Sequence, residues 1–191
     1  VVGGGSVAAR KVAGLLEAGA DVTVVSPRIG PRLQAFVDAG RVAWREGGYG
    51  SEATDRRWRF VVAATDDPAV NRTVVADAEA AGVWANDAGD RRGGPAALPA
   101  VHRSGPVTVA VATGGTSPGA AAWLRDLLAA SIGPEHVRAI ELVAECQDGA
   151  AGGAKVDWRR AVDSGMLSLI RAGREAEAKE RLQACLSSSS D

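Results

Sequence analysis

The stretch Val1-Val2-Gly3-Gly4-Gly5-Ser6-Val7-Ala8 decides the fold. Two β-branched residues read as the end of a strand, and three glycines make the turn. Residues 6–18 then carry Val7, Leu15 and Leu16 at apolar helical positions before Gly19 stops the helix. The run has the form G-x-G-x-x-A. The first glycine permits a tight turn, and the second lets the backbone approach a pyrophosphate. Ala8 is small enough for the helix to pack on the strand. The helix start offers N–H groups and partial positive charge to phosphates. Ala18-Gly19-Ala20-Asp21-Val22-Thr23-Val24-Val25 follows at the distance of a second strand, and this context raises the loop above a bare glycine motif. A dinucleotide, expected to be NAD, is therefore predicted on Gly3, Gly4, Gly5, Ser6 and Val7. Because Val1-Val2 looks like the tail of a strand, the native start is expected upstream.

Working outward, strands and helices alternate. Strands are expected at 22–25, 41–46, 60–64 and 83–85. Helices are expected over 31–39, starting at Pro31, and over 68–81, capped by Asp67. This alternation predicts an α/β fold, a Rossmann-type parallel sheet with helices on both faces. Residues 47–54 and 87–95 read as loops. A strand over 107–113, the turn 114–118 and a helix over 118–130 with Ser117 as cap come next. From Pro134 onward everything reads helical, over 135–146, 158–172 and 175–186. A flexible break is expected at 149–153 and a frayed tail at 187–191.

The 191 residues carry 22 basic and 23 acidic side chains, a net charge of −1. Such balance predicts no general affinity for nucleic acid or for a membrane surface. No apolar run is long enough to span a membrane. Cys146 and Cys185 match no zinc or CxxC spacing and read as reduced thiols. With only His102 and His136, no histidine-built metal site is expected.

Four further segments fall where chemistry is expected. Ser26-Pro27-Arg28 ends the second strand, where an acid usually holds the adenosine ribose. Serine there does not repel a 2′-phosphate, and Arg28 can attract one, so these residues leave NAD and NADP both open. Ala63-Ala64-Thr65-Asp66-Asp67 lies at the carboxyl edge of the sheet, with Thr65 and Asp66 as candidate ribose contacts. Asn86-Asp87-Ala88-Gly89-Asp90 follows the next strand. It supplies Asn86 as a cofactor contact and Asp90 or Asp87 as a general base. Thr113-Gly114-Gly115-Thr116-Ser117-Pro118 is a second glycine turn at a helix start, suited to a carboxylate-bearing substrate.

Taken together, the glycine loop with its second strand, Ala-Ala-Thr-Asp-Asp-Pro-Ala-Val-Asn and Thr-Gly-Gly-Thr-Ser-Pro resemble precorrin-2 dehydrogenase, which is also the N-terminal part of siroheme synthase. The likeness runs in order from Val1 to about Leu128. It implies oxidation of precorrin-2 to sirohydrochlorin with NAD accepting hydride, in a cytoplasmic homodimer. Some members also insert ferrous iron. The resemblance further implies an NAD-binding domain over 1–112, a dimerisation segment over 113–148 and a helical C-terminal domain over 149–191. Precorrin-2 is a polyanion, which Thr113, Gly114, Gly115, Thr116 and Ser117 are expected to hold, with Arg91, Arg92, His102 and Arg103 nearby in sequence. Family members carry a catalytic Asp after the fifth strand. An ungapped match sets Gly89 at that place, so Asp90, one residue on, is the assigned base and Asp87 the alternative. A non-catalytic NAD-sensing module would share the first loop but has no need of the second turn or of a loop carboxylate.

Overall fold

The computed structural model describes residues 1–50, 55, 57–90, 93–148 and 155–187. Arg91, Arg92, the expected break at 149–153, residues 51–54 of the expected loop and 188–191 of the expected tail lie outside the described residues. The chain forms two compact units, Val1–Leu98 and Pro99–Asp191.

In the first unit, β1 (Val22–Ser26) pairs in parallel with β2 (Val42–Glu46), and β3 (Phe60–Ala63) with β4 (Trp84–Asp87). Val2 joins the two pairs, bridging Val25 on one side and Ala63 on the other, both parallel. The order is therefore β2–β1–Val2–β3–β4. Counting Val2 as the first strand, this is the 3-2-1-4-5 order of a dinucleotide-binding sheet. Successive strand residues point to opposite faces. Val62 and Ala64 pack with Ala8 and Val12 of α1 (Ser6–Glu17) and Leu33 of α2 (Pro31–Asp38). Val61 and Ala63 pack on the other face with Val74, Val75 and Ala78 of α3 (Pro68–Ala80).

The fifth strand runs later than residues 83–85 and takes in Asn86 and Asp87. Backbone bonds beyond the sheet edge extend it, with the Asp87 N–H donating to Gly93 O at 2.8 Å and the Ala96 N–H to Ala85 O at 3.0 Å.

The second unit opens with a hairpin, β5 (Ala100–Ser104) antiparallel to β6 (Val107–Val111), on which α4 (Pro118–Ala130) packs. The first compact unit thus ends at Leu98, whereas the expected domain ran to 112. Beyond the hairpin, α5 (Pro134–Asp148), α6 (Trp158–Asp163), α7 (Met166–Arg171) and α8 (Glu175–Gln183) share one core. Ala139, Leu142, Ala161, Met166, Ala178 and Leu182 are its most buried members. Two corrections apply here. The helix expected over 158–172 is broken at Gly165, whose φ of 82° is left-handed and starts α7 in a new direction. The region is also not wholly helical, because β7 (Lys155–Val156) pairs with β8 (Leu186–Ser187) and closes the helices into one unit.

Candidate dinucleotide site

The glycine loop crosses the carboxyl edge of the sheet between β1 and β3, and each glycine there has a distinct steric reason. Gly3 has φ 123°, and a Cβ on it would stand 2.3 Å from Ala64 O. A Cβ on Gly4 would stand 1.8 Å from Arg28 O and 2.6 Å from Ser26 Oγ. The loop after β1 lies directly on this residue, and the Gly30 N–H donates to Gly4 O at 2.9 Å. Gly5 is the opposite case, because nothing lies within 4 Å of where its Cβ would be. It is the N-cap of α1, with no side chain capping the helix and no acidic residue in the first turn. Ala8, behind it, is fully buried against the sheet. Close packing behind and open space in front is the shape a pyrophosphate requires.

That open space is a cavity of about 580 Å³. Its lining brings together Gly3, Gly4, Gly5, Ser6 and Val7 with Ser26, Pro27 and Arg28 from the end of β1, and Thr65 and Asp66 from the end of β3. Ile29, Gly30, Ala64 and Ala88 also line it and were not assigned a role from the sequence, and so does Gly89, which the ungapped match sets at the place of the family's catalytic Asp. The glycine before Pro31 was the available signal for Gly30, since its backbone is bonded to Gly4.

Individual side chains are less free than their positions suggest. Ser26 is buried, and its hydroxyl donates to Arg28 O at 2.6 Å. Its own carbonyl accepts from Trp44 Nε1 at 2.9 Å and from the Gly47 N–H at 3.2 Å. Thr65 lies with its hydroxyl 2.7 Å from Asn71 Oδ1 and 3.0 Å from Asp67 O, both acceptors for its single proton. Asp67 caps α3 as expected, accepting from the N–H groups of Ala69 and Val70. Asp66 is exposed on the cavity wall.

Asn86, Asp87 and Asp90 do not line the cavity. Asn86 is buried and donates through Nδ2 to Ala96 O at 2.9 Å, while its Oδ1 is a buried acceptor with no partner among the described residues. Asp87 is buried as well. Its Oδ1 accepts from the Gly89 N–H at 2.7 Å, the Asp90 N–H at 3.1 Å and Asn71 Nδ2 at 3.4 Å. Asp90, by contrast, is exposed at the loop surface.

The second glycine turn belongs to the second unit. Gly114 and Gly115 take left-handed φ values of 59° and 77° in succession. The Thr113 hydroxyl donates to Ser117 O at 2.9 Å and accepts from the Ser117 N–H at 3.2 Å, closing the turn. Ser117 Oγ caps α4 through the Ala120 N–H, as expected. The Thr113 and Ser117 hydroxyls thus organise the loop, and Gly114, Gly115 and Thr116 are exposed at its tip. His102 and Arg103 lie on β5. Among the described residues, no group of three His, Cys, Asp or Glu is placed to hold a metal ion, and no helix is long and apolar enough to cross a membrane.

Comparison with known proteins agrees with this architecture. A siroheme synthase of Nitrosococcus oceani is 35% identical across 97% of this chain and 41% of its own length. Siroheme synthase 1 of Aeromonas salmonicida is 39% identical across 73% of this chain and 30% of its own length. The chain spans about two fifths of the length of such relatives. The solved structure of "SirC, precorrin-2 dehydrogenase" superposes with a TM-score of 0.69 at 24% identity, covering 96% of this chain and 91% of that one, which establishes the shared fold. The family model described as "Putative NAD(P)-binding" matches residues 1–100, the unit that carries the cavity. The chain belongs to this NAD(P)-binding family.

Proposed function

We propose that this chain oxidises precorrin-2 to sirohydrochlorin with NAD+ as oxidant. The observation that carries the reading is the cavity on the glycine loop, open at Gly5 and closed behind Gly3 and Gly4, in a chain whose whole length is similar to siroheme synthases. When bound, the nicotinamide supplies the hydride acceptor. The protein's part is to hold the cofactor by its backbone along Gly3–Val7, to orient the substrate and to take one proton.

The loop after β4 is proposed to take that proton. Asp90 is the exposed carboxylate, and Asp87 positions it by accepting the Asp90 N–H. The turn Thr113–Ser117 is proposed to meet substrate carboxylates at its exposed tip, Gly114–Thr116, where the two left-handed glycines carry no side chain to stand in the way. A homodimer is proposed on the face of α4 that carries Trp123, Leu127 and Leu128, exposed by 63%, 56% and 46%. The free, buried thiols Cys146 and Cys185 support a reducing compartment, and a cytoplasmic location is proposed.

The test is to incubate the purified chain with precorrin-2, with and without NAD+. Sirohydrochlorin is expected only when both protein and NAD+ are present. Tight NAD+ binding with no conversion would favour a sensing module instead.

A further inference from the structure

We propose that the cavity accepts NADP+ as well as NAD+, and that Arg28 is the residue that makes this possible. The proposal rests on the dinucleotide reading of the cavity. In a sheet of this order the adenosine half of the ligand lies over the end of the second strand, where a carboxylate normally holds the ribose diol and repels a 2′-phosphate. Here that strand is β1, and its last residue is Ser26.

The side chain at that position cannot take over the missing role. Ser26 is only 6% exposed, and its proton is held by Arg28 O at 2.6 Å. Its Oγ also lies 2.6 Å from where a Cβ on Gly4 would stand, against the glycine loop. The same bond pins the backbone of Arg28, whose carbonyl also lies against Gly4. The Arg28 side chain is exposed and on the cavity wall.

The charge around the cavity favours the same outcome. Asp66 is the single acidic residue among the described lining residues. It follows β3, across the Val2 strand from Arg28. Glu46 ends the neighbouring strand in register with Ser26 but is not part of the lining. A 2′-phosphate brings close to two negative charges and three acceptor oxygens. A guanidinium on a backbone held at its own carbonyl can meet it with paired N–H donors.

The experiment is titration calorimetry on the whole chain with NAD+ and NADP+, with 5′-AMP and 2′,5′-ADP as half-ligands. The parent is expected to bind NADP+ with a Kd within about tenfold of that for NAD+. Arg28→Glu is expected to raise the ratio Kd(NADP+)/Kd(NAD+) by at least about tenfold, with Arg28→Lys in between. Circular dichroism checks that each variant is folded. A parent ratio above ten, or a smaller change in Arg28→Glu, overturns the proposal while leaving the dinucleotide site standing. Failure of the folded parent to bind either dinucleotide overturns both.

Discussion

Asp87 accepts the backbone N–H of Asp90 at 3.1 Å, so one carboxylate of the loop after β4 fixes where the other begins. The two differ in kind. Asp87 is a buried acceptor of three donors, and Asp90 is exposed. Removing a buried acceptor leaves its donors unsatisfied, at about 1–3 kcal/mol. Asp87→Ala is therefore expected to lower stability by that amount in urea unfolding, with turnover falling as a consequence. Asp90→Ala, at an exposed position, should lose turnover at a smaller cost in stability than Asp87→Ala. A stable, inactive Asp87→Ala beside an active Asp90→Ala would reverse the proposed roles.

The glycines of the first loop separate folding from binding. Gly4→Ala drives a methyl group to 1.8 Å from Arg28 O, so the β1–α2 loop must move. Overpacking of this kind costs about 1–3 kcal/mol, and NAD+ binding should be lost with it. Gly5→Ala meets no protein atom within 4 Å and sits at an extended N-cap. It is expected to keep the parent's stability to within about 1 kcal/mol. Its methyl group stands where the pyrophosphate must approach, so the NAD+ Kd should rise about tenfold or more. Thermal unfolding and NAD+ titration of the two variants check this split.

These variants also show where the sequence was legible. Gly3–Ala8 declared the turn by its glycine spacing between strand and helix, although what excludes a side chain at Gly3 and Gly4 is Ala64 and Arg28, far along the chain. The parallel pairing followed from β-branched runs spaced by helices. Ser26 could be placed but not oriented, since the bond that turns its hydroxyl inward depends on the loop two residues on. Asp87 and Asp90 look alike in sequence, and only the extension of β4 by the 93–96 segment separates the buried one from the exposed one. The strand β5 was missed because its five residues, Ala100–Ser104, end in three polar or charged side chains in a row and gain their order from pairing with β6. Gly165 lies inside the helix expected over 158–172, and its left-handed φ became visible only in the fold.

Arg138 organises the acidic surface of the helical unit. Its guanidinium meets Glu145 at 2.8 Å, Glu175 at 2.9 Å and Glu141 at 3.3 Å. Its hydrogen bonds hold Glu145 and Glu175 below the usual carboxylate value of 4.5. A carboxylate with a depressed folded value stabilises the fold above its unfolded value, and that stabilisation is lost as pH falls through the folded one. Arg138→Met should therefore flatten the acid-side fall of the melting temperature below pH 4.5. Because the groups are exposed, high salt should shrink the difference between parent and variant.

The apolar face of α4 gives a prediction on assembly. Trp123 and Leu127 lie one helical turn apart, and both are more than half exposed. Trp123→Glu with Leu127→Glu should convert a dimer to a monomer in sedimentation experiments, with little loss of melting temperature in the isolated subunit. A parent that sediments as a monomer would remove this interface.

Hydride transfer in the cavity on the glycine loop is best tested by a single-turnover experiment. With the protein and NAD+ in excess over precorrin-2 and oxygen excluded, NADH and sirohydrochlorin are measured together. Hydride transfer to NAD+ makes them appear at the same rate and in equal amounts. NAD+ bound to the protein with no NADH formed, or sirohydrochlorin formed without it, would rule out that transfer.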